Sequence, residues 1–223
     1  MRGVGFQNLK LPSLTDLDLT SAPVNDEGLK RIAVLGTVER LMLSYTDISD
    51  AAAPELSRFT RLKILNLDGT DIGDSTLRAV GGLSGLEELD LDACRFSDKG
   101  LQALHGLRSL QRLRLGHTRT AEAGIEVVAS LKSLRSLNLD YTSVDDRSLL
   151  LLKNLAPLQE LRLDATGITD AGMESLVSMS SLKLLNIYHT AVTEKAFDKF
   201  KAAVPACRVV WDRDSGLPNR RKG

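Results

Sequence analysis

The sequence predicts an α/β fold: a right-handed solenoid with short parallel strands on its concave face and short helices on its convex face. Three observations predict it. Leucine returns every 24 residues, at Leu17, Leu41, Leu65, Leu89, Leu113, Leu137, Leu161 and Leu185, and Val209 continues the series. Each return sits in a stretch of alternating apolar and polar residues, the signature of a strand with one buried face. Each is followed by apolar residues at threefold spacing, such as Leu101, Leu104 and Leu107 or Met173, Leu176 and Met179, which line one side of a short helix. A single strand and helix cannot bury these leucines, so the copies must stack on their neighbours. A crossover between parallel strands turns right-handed.

The elements follow in order within each copy. The strand reads LxxLxL, with a second apolar column at Leu19, Leu43, Leu67, Leu91, Leu115, Leu139, Leu163 and Ile187, continued by Trp211. A threonine follows at Thr46, Thr70, Thr118, Thr142, Thr166 and Thr190; Cys94 and Ala22 depart from the column. Its hydroxyl is suited to bond neighbouring backbone and hold the bend after the strand. A helix start comes next, at Asn25, Ser49, Gly73, Ser97, Ala121, Asp145, Thr169 and Thr193, mostly residues that accept a backbone N–H bond. An acid follows in every copy: Asp26, Asp50, Asp74, Asp98, Glu122, Asp146, Asp170 and Glu194. In a first helical turn a carboxylate gains about 0.3–1 kcal/mol from the helix dipole, so the recurring acid is structural and not a catalytic row. The small residues two places later, among them Gly100 and Gly172, leave room for close packing. Two copies depart. Thr120 stands where others bury Val, Ile or Phe and is expected to cap in place of Ala121, and Pro54 is expected to delay its helix.

These in-phase columns resemble the leucine-rich repeat family over residues 11–211. Within it, the threonine column is most similar to bacterial 24-residue repeats of the GALA-like kind, and VPACRVVW from Val204 to Trp211 is similar to the terminal strand that closes such arrays. The resemblance implies a curved solenoid and a binding function. The expected organisation is an N-terminal cap or remnant of an upstream segment at 1–13, eight repeats over 14–205, a capping strand at 206–211 and a flexible polar tail at 212–223. Val4, Phe6, Leu9 and Leu11 fit the repeat columns poorly, so the first repeat is expected to carry a makeshift cap.

Composition excludes several functions. The 29 basic residues cancel the 29 acidic ones, leaving no global field for nucleic acid or anionic membrane. No apolar run is long enough to span a bilayer and MRGVGFQNLKLPS lacks a secretion signal's apolar core, so a soluble, cytoplasmic chain without membrane insertion is expected. A monomer is the expected state. Cys94 and Cys207 suggest no disulfide framework or zinc site. No phosphate-binding glycine loop or nucleophile with a base in register is visible, and no cofactor or catalytic residue is expected.

What varies from copy to copy is the outward strand face. One column runs Asp18, Met42, Asn66, Asp90, Arg114, Asn138, Arg162, Asn186; the next runs Thr20, Ser44, Asp68, Asp92, Gly116, Asp140, Asp164, Tyr188, with Tyr45, His117, Tyr141 and His189 beside it. Asp68, Asp90 and Asp92 converge and could hold a cation, but Arg112 and Arg114 on the next strand offer an ion-pair ladder instead. His117 and His189 lie three strand spacings apart, about 14 Å, too far to share a metal. His105 is expected on a helix surface. The expected function is therefore non-catalytic binding of a protein or peptide partner. Arg and Tyr are favoured interface anchors, so the preferred patch is Arg114, Tyr141, Arg162 and Tyr188, bordered by Asp92, Asp140 and Asp164. The alternative is a docking scaffold within a larger assembly, engaged through the ends or helices.

Overall fold

The computed structural model describes residues 13–214. They divide into two compact units, with the boundary between Arg114 and Leu115. The first unit contains β1 (Asp16–Asp18), α1 (Asp26–Ile32), β2 (Arg40–Met42), a 3-10 turn (Asp50–Ala52) running into α2 (Ala53–Leu56), β3 (Ile64–Asn66), α3 (Asp74–Val80), β4 (Glu88–Asp90), α4 (Asp98–Leu101) with a 3-10 extension (Gln102–Gly106), and β5 (Arg112–Arg114). The second contains α5 (Glu122–Val128), β6 (Ser136–Asn138), α6 (Asp146–Leu152), β7 (Glu160–Arg162), α7 (Asp170–Leu176), β8 (Leu184–Asn186), α8 (Glu194–Ala203) and β9 (Arg208–Val210). Within each unit every strand pairs in parallel with the next one in the chain. The register keeps the 24-residue period: Leu41 faces Leu65 and Leu161 faces Leu185.

The leucine columns form the core. Leu41, Leu65, Leu89 and Leu113 of the first unit and Leu137, Leu161 and Leu185 of the second are all at most 1% exposed. The helices add Leu101, Leu104 and Leu107, and Met173, Leu176 and Met179, all buried. The continuations assigned to Val209 and Trp211 need correcting. Both are half-buried, because β9 pairs only with β8 among the described residues. Trp211 nevertheless covers the end of the unit, its ring stacked on Phe197 at 4.5 Å and its indole N–H donated to the Val192 carbonyl at 3.1 Å. The expected N-terminal cap and most of the expected tail lie outside the described residues.

The threonine column does what its chemistry suggests. Thr46, Thr70, Thr118, Thr142, Thr166 and Thr190 each donate the hydroxyl to the carbonyl three residues earlier, at 2.6–2.7 Å. Cys94 fills the same place with its thiol, donated to the Leu67 carbonyl at 3.1 Å; burial pushes that thiol's pKa up to about 11. Both cysteines are free and buried.

One feature of the bend has no trace in the hydropathy pattern. The residue before each threonine position takes a left-handed conformation: Ser21, Tyr45, Gly69, Ala93, His117, Tyr141, Ala165 and His189 all have φ between 51 and 66°. A turn with positive φ at its third residue favours glycine, yet only Gly69 is glycine. At Gly69 an added Cβ would stand 2.6 Å from the Tyr45 ring. Gly69→Ala is therefore expected to cost about 1–2 kcal/mol from backbone strain and the displaced ring. Ala165→Gly is expected to stabilise by about 0.5 kcal/mol, because relief of a strained left-handed alanine exceeds the entropy glycine adds to the unfolded chain. Urea unfolding of both variants checks the opposite signs.

The helix starts are as assigned, with one correction. Asn25, Ser49, Ser97, Asp145, Thr169 and Thr193 cap with their side chains. Thr120 does not cap in place of Ala121; it is 1% exposed and its hydroxyl bonds that of Thr118 at 2.8 Å, while Ala121 holds the cap position without a side-chain bond. A buried threonine finds its nearest polar partner inside the bend, two residues back, and not at the helix start. Pro54 delays its helix as expected, standing in the first turn of α2 where its missing N–H is not needed.

The recurring acid has a second role, legible only with copies side by side. Asp26 accepts the backbone N–H and hydroxyl of Ser49 at 2.8 and 2.6 Å, and Asp74 takes Ser97 likewise at 2.8 and 2.7 Å. Asp146 binds Thr169 and Asp170 binds Thr193 in the same way. Each of these four acids thus clamps the next copy's cap residue. The space left at Gly100 is taken by the Asp74 carboxylate and that at Gly172 by Asp146, so these glycines make room for the clamp.

Asp50 accepts three backbone N–H groups, from Gly73, Ser75 and Thr76 at 2.7–3.1 Å. Its burial alone would raise the pKa, but the N–H donors overcome it and hold the carboxyl at about 2. A carboxylate depressed in the folded state stabilises above its ordinary pKa, and that stability is lost as pH falls through the folded value. Asp50→Asn is thus expected to cost about 1 kcal/mol at pH 7, after allowing for solvent screening, with the difference from the parent vanishing between about pH 4 and 2. Unfolding curves across that range measure it.

Candidate binding face

The strand face is built by side chains that point away from the leucine core, and much of it first serves the turns. Asp18, Asn66, Asp90, Asn138 and Asn186 each accept the N–H two residues on, at 2.8–3.1 Å. These Asx turns close the strand end, so this column varies less freely than its chemistry suggests. Where arginine replaces the Asx residue at Arg162, the preceding copy substitutes: Asp140 accepts the Asp164 N–H at 2.7 Å.

In the first unit Arg114 lies across two carboxylates. Its Nε donates to Asp92 at 2.9 Å and approaches Asp90 at 3.1 Å. Asp92 is 7% exposed, Asp90 half-buried and Arg114 exposed. Asn66 donates its amide to Asp90 at 3.3 Å. Burial, with the charges of Asp92 and Asp68, pushes Asp90 up to about 6 against the Asp92 N–H and the Arg114 guanidinium. Beyond it stands Tyr45, 62% exposed, whose phenol pKa the neighbouring Asp68 carboxylate raises. The arginine ladder considered for this cluster is therefore present. Among the described residues no group of three metal-ligating side chains could hold an ion.

The second unit repeats the device. Arg162 donates Nε to Asp140 at 2.8 Å, the same 22-residue offset that relates Arg114 to Asp92. Asp140 is 6% exposed and the Arg162 side chain 43%. Asp164 is paired with His189 Nδ1 at 3.0 Å, and the His189 ring tilts against Tyr188 at 3.9 Å. Tyr141, 48% exposed, stacks on His117 with centroids 4.4 Å apart. Of the seven residues proposed from sequence, Arg114, Tyr141, Arg162, Asp164 and Tyr188 are at least partly exposed, whereas Asp92 and Asp140 are buried braces beneath the arginines. Asp92 and Arg114 belong to the first unit and the other five to the second. His117, His189 and Tyr45 share the face and were outside the preferred patch. Their common signal was the column before the threonines, which only the left-handed backbone distinguishes. His105 is exposed on the 3-10 extension of α4, as expected.

This architecture is that of leucine-rich repeats. A Leucine Rich repeat family profile matches residues 10–33, 85–104 and 154–177. No curated protein sequence matches the chain. Among solved structures, internalin C2 of Listeria monocytogenes is similar with a TM-score of 0.73 and 25% identity over 89% of this chain and 80% of its own. The plant peptide hormone receptor RGFR1, solved in complex with RGF2, has a TM-score of 0.62 and 22% identity; 91% of this chain aligns to 33% of the receptor. A leucine-rich-repeat protein of Leptospira interrogans has a TM-score of 0.58 and 20% identity, over 89% of this chain and 61% of its own. The chain thus spans about a third of the plant receptor chain and under two thirds of the Leptospira one. Among the described residues no helix is long and apolar enough to cross a membrane.

Proposed function

We propose that the chain is a non-catalytic recognition module that holds a protein or peptide partner against its strand face. One observation carries the reading: in each unit, tyrosine at a strand-face turn accompanies an arginine braced by a buried aspartate, Tyr45 with Arg114 and Asp92 in the first and Tyr141 and Tyr188 with Arg162 and Asp140 in the second. Tyr and Arg are the residue types that anchor interfaces, and an arginine already held by a carboxylate loses little further freedom on binding. Tyr45 and Tyr141 occupy left-handed turns that glycine would fill with less strain, and both remain exposed there despite their contacts with Gly69 and His117. The similarity to a receptor solved with a peptide hormone supports the same class of function. We also infer, from the threonine column, a repeat of the GALA-like kind.

The face is polar and its anchors are charged, so salt weakens the complex. Affinity capture from the native cell identifies the partner. Charge reversal at Arg114 or Arg162 is then expected to weaken binding at least tenfold, while reversal at Arg78 or Glu126, both exposed on helices, leaves it unchanged. The reverse outcome favours docking through the helices.

A further inference from the structure

We infer that the seam between α5 and α6 is a joint built into the second unit, and that its opening parts the His117–Tyr141 stack on the strand face. The helical side of the other described seams within a unit is locked by the acid clamp: Asp26 on Ser49, Asp50 on the start of α3, Asp74 on Ser97, Asp146 on Thr169 and Asp170 on Thr193. Between α5 and α6 the clamp is missing. The acid is Glu122, one methylene longer, and the residue it would grasp is Asp145, a second carboxylate with no hydroxyl to donate. Asp145 turns inward to its own helix, accepting the N–H groups of Arg147 and Ser148 while its own N–H goes to the Ser148 hydroxyl at 3.4 Å. The Ser143 N–H still reaches the Thr120 carbonyl at 3.1 Å, as its equivalents do in other copies, but in place of the clamp there is only an exposed ion pair from Glu122 to Arg147, 4.0 Å long, a contact that contributes little.

The same stretch also breaks one apolar core column. Thr120 occupies the core column filled elsewhere by Val24, Ile48, Ile72, Phe96, Val144, Ile168 and Val192. Directly opposite on the strand side, the seam is crossed by the His117 N–H, donated to the Asp140 carbonyl at 2.9 Å, and by the stacked His117 and Tyr141 rings. A seam without its clamp opens more often than its clamped neighbours, and opening removes the ring that supports Tyr141. The link to partner binding rests on the strand-face reading above; the joint itself does not.

Hydrogen exchange on the free protein tests the joint without any partner. First-turn amides of α6 (146–149) are expected to exchange at least tenfold faster, relative to their intrinsic rates, than those of α7 (170–173), and the His117 amide to exchange with the α6 set. The triple variant Glu122→Asp, Asp145→Ser, Ser148→Ala copies the residues of the clamped first seam, Asp26, Ser49 and Ala52, and should slow the α6 and His117 amides together by about tenfold while leaving α7 unchanged. Asp146→Ala should raise the α7 first turn to the rate of α6. Equal protection of α6 and α7 in the parent overturns the joint. A triple variant that slows α6 but not His117 overturns its coupling to the strand face. Binding that persists unaltered in a confirmed closed variant counts against the face as the binding surface and leaves the joint standing.

Discussion

Leu137→Ala lowers stability by about 2–5 kcal/mol, read as a fall in the urea midpoint without a change in slope. Leu137 is fully buried, and its strand β6 pairs with β7 in register, Leu137 facing Leu161. Removing three carbons leaves a cavity that a regular ladder cannot close, because sliding one strand would break its register with the next. Leu113 in β5 is equivalent, 1% exposed and facing Leu89. Arg78, exposed on α3, makes only a hydrogen bond to Ser75 one turn away among the described contacts, and its replacement by Ala is expected to cost less than about 0.5 kcal/mol. Equal small losses at Leu137, Leu113 and Arg78 would contradict the assignment of the leucine columns to the core.

Arg162→Ala costs about 1–3 kcal/mol at pH 7, although the side chain is nearly half exposed. The loss comes from its partner. Asp140 lies 6% exposed beneath the guanidinium, and with Arg162 gone its charge keeps only the Asp164 N–H. A double variant that also replaces Asp140 with Asn should recover part of the loss at pH 7. No recovery in the double variant would show that the arginine acts through packing alone.

The scaffold was legible because its determinants are periodic. Leu17 to Leu185 fix strand register, and Asn25 to Thr193 fix helix starts, each from residue type and spacing alone. The acid column was legible only in half. Its place at the helix start follows from the dipole, whereas its grip on Ser49, Ser97, Thr169 and Thr193 depends on two copies being side by side. On the strand face, Arg114 and Arg162 were found as residue types, but their braces Asp92 and Asp140 read as bordering surface acids. Burial of a short acidic side chain depends on a longer neighbour folding over it, which spacing does not encode. Val209 and Trp211 continued the columns in register, yet burial at the end of a stack needs another layer, and the period cannot supply it.

Among the described residues, the seven non-glycine positions with positive φ place two pressures in opposition. Glycine would relax each turn, but glycine carries no side chain and would leave that position chemically blank. A chain optimised only for durability would drift toward glycine there and fall silent as a surface. Tyr45, His117, Tyr141 and His189 are thus places where thermal robustness is surrendered for chemical identity. Variants selected for heat resistance alone should acquire glycine at these turns, and in doing so lose whatever the turns were able to distinguish.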